Sequence, residues 1–536
     1  MIAYRTYRAP AQDGEALIEP GLDFVAESVS RNKFNAAAWD VAFSGLSLGD
    51  LRLAARGELL RDAVRYSQAY RNVSNPKAGD SIVMAGHQPS LFHPGVWFKN
   101  FALDRVTRAT QSVDGTTRQA TAINFVVDND VASSSAVRVP VIDSATGSVR
   151  QESVLFDSAA GGVPYEQNRI RDRAIFDSFD KRLQATIQPI VAHPLIDRLW
   201  THARAAAGRC ENVSCALAQA RHALEGELGL QTLEIPLSVI CRTESFAAFT
   251  IAILGDLARF REVYNDSIGH YRLEHGIRST AHPVPELGLQ GEWLEAPFWI
   301  YGDDSPQRRA DWVRKSGSAI EISDLVNRSV RLTTPLGTVR AAEELASHAG
   351  PNWKLRPRAL MTTMYARMIL SDLFIHGIGG AKYDQLGDQI ASRWFGITPP
   401  EMMVVSATVK LPNATRFSTG PTVDQLKQRL RSTRFSPELF ANEASFVEPL
   451  LERKRQLLSE IPERGRKKEW HRELTRLNQT LASHLTSVRA ELESKLIEAK
   501  QASSSSSIFQ SREYSFCLFD LEDLHNTFCS MLDTEF

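Results

Sequence analysis

Gly86-His87-Gln88, followed by His93-Pro94-Gly95 and Lys99, places two imidazoles, two glycines and an ammonium in one short stretch. Histidine can donate to phosphate oxygens, glycine lets a backbone approach an anion closely, and lysine adds charge. That set suits a phosphate or a carboxylate; alternatively Pro and Gly merely turn the chain and the histidines cap it. A second cluster, Asp128-Asn129-Asp130, could hold an amine, a ribose or a hydrated magnesium ion, although Asp and Asn also dominate ordinary turns. A third runs from His376 to Asp384, with Gly377, Gly379 and Gly380 ahead of Lys382, Tyr383, Asp384 and Asp388. Its glycines do not fit GxGxxG, and GxxxxGK[ST] does not occur there, so neither nucleotide fingerprint is met. The stretch reads as a ligand cradle or as a plain connecting loop. Trp299, Tyr301, Asp303, Asp304, Arg308 and Arg309 could line the same cleft, or supply aromatic core and solvated charge.

The elements around these clusters alternate in type. Ile82–Ala85 is an apolar strand that runs into the first cluster, a helix follows from Val96 to about Thr110, and Ala122–Val127 is a strand ending at the second cluster. Strand, loop, helix, strand is the mark of a parallel sheet covered by helices, and nearly continuous apolar strands fit burial on both faces. Ser47-Leu48-Gly49-Asp50 caps a helix over Leu51–Tyr70. Ser214–Leu228 and Phe246–Tyr264 read as helices, with a strand near Thr232–Val239 between them. The α/β pattern returns at Leu294–Ile300, continues through a helix over Pro357–Leu373 and the third cluster's helix to Phe395, and closes with a strand at Met402–Ala407. This divides the chain into a helical segment over 1–75, an α/β core over 76–415 with an insertion within about 155–290, and a C-terminal part over 416–536.

That last part changes character. Leu474, Leu477, Leu481, Leu485, Val488, Leu492 and Leu496 recur at spacings of 3, 4, 4, 3, 4 and 4. Such an 11-residue repeat implies a nearly straight or slightly right-handed supercoil. An earlier helix over Phe446–Ile461 is separated from it by Pro462 and Gly465, so the pair is expected to form an antiparallel hairpin. Ser503–Ser507 ends the second helix, and Tyr514–Leu524 is expected to return to the body.

The 536 residues are 43% hydrophobic and 23% charged, which excludes disordered, collagenous and disulfide-scaffold classes. The 62 basic and 63 acidic residues nearly cancel, which argues against a surface built throughout for nucleic acid. The balance is uneven: residues 451–500 hold twelve Lys+Arg against eight Glu, a net +4, which leaves −5 for the rest of the total of −1. The basic tip Arg464, Arg466, Lys467 and Lys468 reads as a solvated turn. Five cysteines (Cys210, Cys215, Cys241, Cys517 and Cys529) without a CxxC pair read as isolated buried thiols, with no structural metal site. No signal-like N-terminus or apolar span is visible, so a cytoplasmic, soluble protein without membrane contact is expected.

The segment from Gly86 to Lys99 resembles the "GQQAGLxxGPLYxxxK" stretch of the bacillithiol synthase (cysteine-adding enzyme) family. In that family this loop stands in for the HIGH motif of class I aminoacyl-tRNA-synthetase-like domains. Asn124–Asp130 is similar to its strand ending in "EDHD", Ile375–Tyr383 to its "YIGGPGExxY" loop, and the C-terminal hairpin to its dimerising coiled coil. The clear matches cover about a quarter of the chain, and the order of segments agrees over nearly all of it. His87 and His93 stand where members often carry Gln and Gly, Asn129 replaces an acid–His pairing, and Lys382 replaces an acidic residue. Ser406–Lys410 sits where KMSKS would, but matches it poorly.

The resemblance implies a Rossmann-like parallel-sheet core of the HIGH-motif nucleotidyltransferase type with an inserted region, plus an antiparallel coiled-coil hairpin. It implies an ATP-dependent ligase, possible use of Mg²⁺, and condensation of an amino acid or small carboxylate with an aminosugar-like amine. His87, His93 and Lys99 would then be catalytic. Gly86, Gln88, Pro94, Gly95, Gly377, Gly379 and Gly380 would hold the nucleotide. Asp128, Asn129, Asp130, Trp299, Lys382, Tyr383 and Asp384 would hold the substrate, and the partner would be a second copy. The competing expectation is a non-catalytic dimeric nucleotide- or metabolite-binding protein that kept this core.

Overall fold

The computed structural model describes residues 4–43, 45–76, 79–109, 120–132, 134–143, 149–158, 161–317, 319–412, 421–440, 448–460, 462 and 467–533. The chain divides into two compact units. One comprises Met1–Val139, Ser153–Val409 and Arg512–Phe536, and the other Pro140–Glu152 and Lys410–Ser511. Among the described residues no helix is long and apolar enough to cross a membrane.

The first unit is built on a six-stranded sheet. Its strands are β1 (Glu15–Glu19), β2 (Ser81–His87), β3 (Ala120–Val126), β4 (Thr232–Pro236) and two later strands, Leu373–His376 and Met402–Thr408. A second sheet lies between them in sequence: β5 (Trp293–Gly302), β6 (Ser305–Ser316), β7 (Ala319–Ser323), β8 (Ser329–Leu332) and β9 (Lys354–Pro357). The later strands of the first sheet are therefore β10 and β11. The first sheet has the order β1-β11-β10-β2-β3-β4, with β1 antiparallel and all other neighbours parallel. The five parallel strands, counted along the chain, lie in the order 5-4-1-2-3. The second sheet, β8-β7-β6-β5-β9, is antiparallel throughout. The apolar run at Leu294–Ile300 thus belongs to that sheet and not to the parallel one. Periodicity alone does not separate a central antiparallel strand from a parallel one when both are buried.

One face of the parallel sheet is apolar: Ile82, Met84, Ile123, Phe125, Leu233 and Ile235 pack with Leu51, Ala55, Leu59 and Ala63 of helix α1 (Leu48–Gln68). Ser47 caps α1, its hydroxyl accepting from the Asp50 N–H at 3.0 Å. Along β2, β3 and β4 the alternate residues point the other way, toward helices α2 (Pro94–Ala109) and α3 (Val213–Glu227). There the strands carry Asn124, Thr232 and Glu234, all buried polar residues. The segment after Tyr514 returns to this unit as anticipated: Phe516 stacks near Trp97, and Phe528 lies against Trp97, Phe98 and Phe101. The run at Phe246–Tyr264 is two helices, Glu244–Gly255 and Leu257–Glu274. That at Pro357–Leu373 is helix α4 (Ala359–Tyr365), which passes through a π-turn into β10.

The Lys410–Ser511 part of the second unit is helical. Helices α6 (Val423–Phe435), α7 (Glu448–Ser459), α8 (Lys467–Ser483) and α9 (Thr486–Phe509) follow α5 (Ile378–Phe395) of the first unit. The leucine repeat does not form one straight rod, since it breaks between α8 and α9. Around the break Ser483 and Thr486 turn their hydroxyls onto the Thr480 and Ser483 carbonyls, at 2.6 and 3.0 Å. Leu477 and Leu481 then pack with Leu451 and Leu457 of α7, whereas Leu485, Val488 and Leu492 pack with Leu426 of α6 and Phe440. Arg464 and Arg466 of the basic tip, and Phe446, Val447 and Ile461 of the preceding helix, lie outside the described residues.

Candidate functional site

In an open sheet of this order, ligands gather outside the carboxyl ends of the strands where the winding direction reverses. Here that point lies between β2 and β10, whose last residues are His87 and His376. The first and third clusters therefore meet.

Helix α2 starts there because Pro94 occupies its first position and His93 caps it, with Nδ1 accepting from the Gly95 N–H at 3.1 Å. Gly95 lets α2 lie directly on β11, since a Cβ at that position would come within 2.2 Å of the Ala407 carbonyl oxygen. Gly95→Ala must therefore push α2 off the sheet and should destabilise by roughly 3 kcal/mol or more, read as a lower urea midpoint. An unchanged midpoint would contradict this packing.

Helix α5 begins on the other side of the crevice with Gly377 as an N-cap that offers no side-chain acceptor. Its first-turn N–H groups consequently lack intrahelical partners. A Cβ on Gly379 would meet nothing within 4 Å, so this turn faces open space. Lys99 lies beside it: a Cβ on Gly377 would be 3.9 Å from Nζ, which donates to the Gly86 carbonyl at 2.6 Å. Among the described residues no carboxylate pairs with Lys99, and burial, with the charge of Arg221, pushes it down to about 8. Behind the crevice, Asp384 joins His376 Nε2 at 2.9 Å and Arg367 Nη1 at 2.5 Å. Burial opposes ionisation of Asp384, but Arg367 and His376 outweigh it and hold the carboxyl well below its ordinary range. Asp384 therefore positions β10 against α5 and does not face a ligand as a free carboxylate.

His87 is buried, with Nδ1 3.2 Å from the Gln88 carbonyl and Nε2 3.4 Å from Asn100 Nδ2. Burial, then the charges of Arg221 and Lys99, drives it well below the usual imidazole range. Burial likewise lowers His93 to about 4, against the opposing pull of Glu513. Both imidazoles are neutral at pH 7, so the positive field expected from them comes instead from Lys99 and from Arg512. Arg512 donates to Ser406 Oγ at 3.0 Å, and its Nη1 is buried without a partner among the described residues. Nothing in the sequence placed this residue at the site, because it lies 417 positions beyond Gly95 (512 − 95) and reaches the crevice only through the returning tail.

Beneath His87 lies a buried polar floor. Asn100 Nδ2 and Trp97 Nε1 donate to Glu225 Oε1 at 2.6 and 2.8 Å, and Arg221 Nη1 reaches the same oxygen at 2.7 Å. Arg221 also binds Glu234, whose carboxylate accepts from the Tyr70 hydroxyl at 3.2 Å.

The second cluster borders a neighbouring cavity of about 580 Å³ at the carboxyl ends of β3 and β4. Its wall includes Pro89, Asp128, Glu166, Ser238, Arg242, Lys354 and Arg356. Asp128 accepts from the Ser238 N–H at 2.9 Å and its hydroxyl at 2.5 Å, and burial, with the charge of Glu166, raises it to about 7. Glu166 is clasped by Arg356 through Nε and Nη2 at 2.8 and 3.0 Å and accepts from the Tyr301 hydroxyl at 2.5 Å. Glu166, Arg356 and Ser238 were invisible as site residues because each comes from a different element. Asn129 is structural, its Nδ2 donating to the Pro357 carbonyl at 2.7 Å. Asp130 ties Gln88, at 3.0 Å, to Arg308, at 3.2 Å, and so joins crevice to cavity.

Other candidates lie elsewhere. Trp299 has Arg308 and Arg358 over its ring, 5.0 and 4.1 Å from the centroid, so its stacking is already taken up within the protein. Lys382 is exposed, and its carbonyl faces the Tyr271 hydroxyl at 3.4 Å; Tyr383 packs edge-on to His282. Among the described residues no group of three His, Cys, Asp or Glu side chains is arranged to hold a metal ion. The cysteines are not all buried: Cys210 and Cys215 are only partly buried and line the cavity, and Cys529 is exposed.

No protein-family model matches this chain, and no curated protein sequence matches it significantly.

Proposed function

We propose that this protein is an ATP-dependent ligase or nucleotidyl-transfer enzyme of the bacillithiol synthase type, joining a small carboxylate to an amine. The reading is carried by one arrangement: a glycine-rich helix start without a side-chain cap and a buried lysine that has no carboxylate partner among the described residues, both at the switch point of a parallel sheet. Helix N-termini attract phosphate through their free N–H groups and dipole. The α5 start, Lys99 and Arg512 fit the phosphates of ATP, which when bound would supply the activation of a carboxylate. Beside them, Asp128 with Ser238 offers acceptors for an amine, while Arg242 offers a cation for a carboxylate. His87 and His93 serve by holding α2 and the loop in place, in keeping with their neutral state. On this reading the core is of the HIGH-motif Rossmann type and the helical unit joins two copies.

Calorimetric titration of the whole chain with ATP, ADP and AMP tests the reading. ATP should bind, and Gly379→Ala should weaken it at least tenfold by placing a methyl group in the open turn, with the unliganded melting temperature unchanged. Absence of binding by all three nucleotides would sink the proposal. A binding protein without turnover is the second reading, favoured by the fact that both histidines of the loop are already engaged in internal bonds. Tight ATP binding with no ATP consumption in the presence of amino acids and aminosugars would select it.

A further inference from the structure

The cavity at the carboxyl ends of β3 and β4 has many polar residues in its wall, but most are already engaged. Glu166 is held by Arg356 and Tyr301, and the remaining Arg356 nitrogen, Nη1, donates to the Leu355 carbonyl at 3.0 Å. Asp303 accepts from Lys354 Nζ at 2.5 Å. Asn212 is used at both ends: Oδ1 accepts from the Cys215 N–H at 2.8 Å, and Nδ2 donates to the Tyr165 and Glu166 carbonyls, each at 3.3 Å. Asp128 differs. Its oxygens accept from the Ser238 N–H and hydroxyl, and among the described residues no Lys, Arg or His forms an ion pair with it. A carboxylate offers about four lone-pair sites, so two remain open. Its rise to about 7 on burial is the behaviour of a carboxylate with no cation in contact, which an ammonium would reverse. Much of the remaining wall is apolar: Tyr66 of α1, Val126, Ala218 of α3, Pro236, Val239 and Trp353. The volume of about 580 Å³ falls within the roughly 300–1,000 Å³ of pockets for drug-sized molecules.

We propose that this cavity binds a primary monoamine with an aromatic or branched apolar body, its ammonium on Asp128 and its body against the apolar wall. The inference rests on the reading of Asp128 as the seat of an amine and narrows the class of that amine. Taking the body out of water supplies affinity, and the ion pair fixes its orientation. An aminosugar, the acceptor that the resemblance implies, would carry a run of hydroxyls into the same space. There Ser214 Oγ, buried and without a partner among the described residues, can answer one polar group, and the other hydroxyls would lose water without replacement. A diamine fares no better, because the other two acids of the wall, Glu166 and Asp303, already hold Arg356 and Lys354. Arg242 is exposed and makes no side-chain hydrogen bond or ion pair among the described residues, so it stays available to the carboxylate that the amine would meet.

Calorimetric titration of the whole chain without ATP, at pH 8, tests this with phenethylamine, phenethyl alcohol, glucamine and putrescine. At that pH Asp128 is ionised and the alkylamines keep their protons. Phenethylamine should bind, and each of the other three should bind at least tenfold more weakly. Asp128→Asn should weaken phenethylamine at least tenfold, and Val239→Trp should do the same by filling the cavity with Asp128 in place. The comparison among ligands holds even where a substitution lowers stability. Absence of phenethylamine binding would overturn the proposal. Equal binding of phenethyl alcohol, or undiminished binding by Asp128→Asn, would overturn the ammonium seat, and equal binding of glucamine or putrescine the apolar monoamine. Titrating the same preparation with ATP separates the two readings. ATP binding without phenethylamine binding sinks this inference alone, whereas the reverse sinks the ligase reading and leaves the amine cavity standing.

Discussion

Arg221→Met should destabilise the protein by roughly 3–5 kcal/mol, among the largest effects of any single substitution in the chain. Arg221 is almost fully buried and is the cation between Glu225 and Glu234, both of which have no exposed surface. With the guanidinium present, Glu234 is already raised to about 7: burial lifts it, and Arg221 opposes the lift. Without the guanidinium, two carboxyls share one buried site and the penalty of an uncompensated buried charge appears in full. The loss is the cost of breaking the set, and the set itself contributes less than that. Arg221→Met combined with Glu225→Gln and Glu234→Gln should therefore recover most of the lost stability. Urea unfolding followed by circular dichroism measures both proteins. A loss below about 1 kcal/mol in the single variant would mean that the network is not closed as described. The consequence extends to the crevice, since Asn100, which backs His87, hangs from Glu225.

Lys99→Met should weaken ATP binding at least tenfold while raising stability at neutral pH. The folded-state lysine is lowered from 10.5 to about 8, mainly by burial. Below that lower value both folded and unfolded chains carry the proton, and the folded chain bears the whole cost of burying the charge. As pH rises through it the folded lysine releases its proton while the unfolded one retains it, so stability climbs until the ordinary lysine value is passed. At about 1.4 kcal/mol per unit, the cost below that window is on the order of 3 kcal/mol. Methionine keeps the volume and removes the charge, losing only the bond to the Gly86 carbonyl. The stability advantage of the variant over the unsubstituted chain, read as the difference in melting temperature, should be largest near pH 7 and shrink toward pH 10. Undiminished ATP binding by the variant would remove Lys99 from any phosphate role, and a difference that does not change with pH would contradict its burial as an ammonium.

Much of the parallel sheet was legible in the sequence. Ile82–Ala85, Ala122–Val127 and Met402–Ala407 are apolar runs bounded by turn residues, and each is a strand of that sheet. Loops that end such strands collect functional groups in any open α/β sheet, so the histidine, aspartate and glycine clusters could be marked by position in the chain alone. What could not be marked was which side chains were already engaged. His93 looks like a phosphate donor until its Nδ1 is found accepting from Gly95, and Trp299 looks like a stacking platform until two guanidiniums are found over it. Leucine spacing marked the C-terminal unit as helical but could not show that the run divides near Ser483 and Thr486, because local hydroxyl–backbone bonds leave no trace in the apolar pattern, and Ser503–Ser507, expected to end the helix, lie inside α9.

The sequence by itself determined four of the five parallel strands, though not Leu373–His376, and the loops where polar residues gather, because these depend on local periodicity and turn chemistry. Only the tertiary structure decided the charge of the site. Whether Lys99 pairs with a carboxylate, whether His87 is neutral, and whether Arg512 or Arg356 reaches a cleft all depend on burial and on partners hundreds of positions away. Desolvation and Coulombic interaction act through space and not along the chain, so the electrostatics of this site appeared only once the chain was folded.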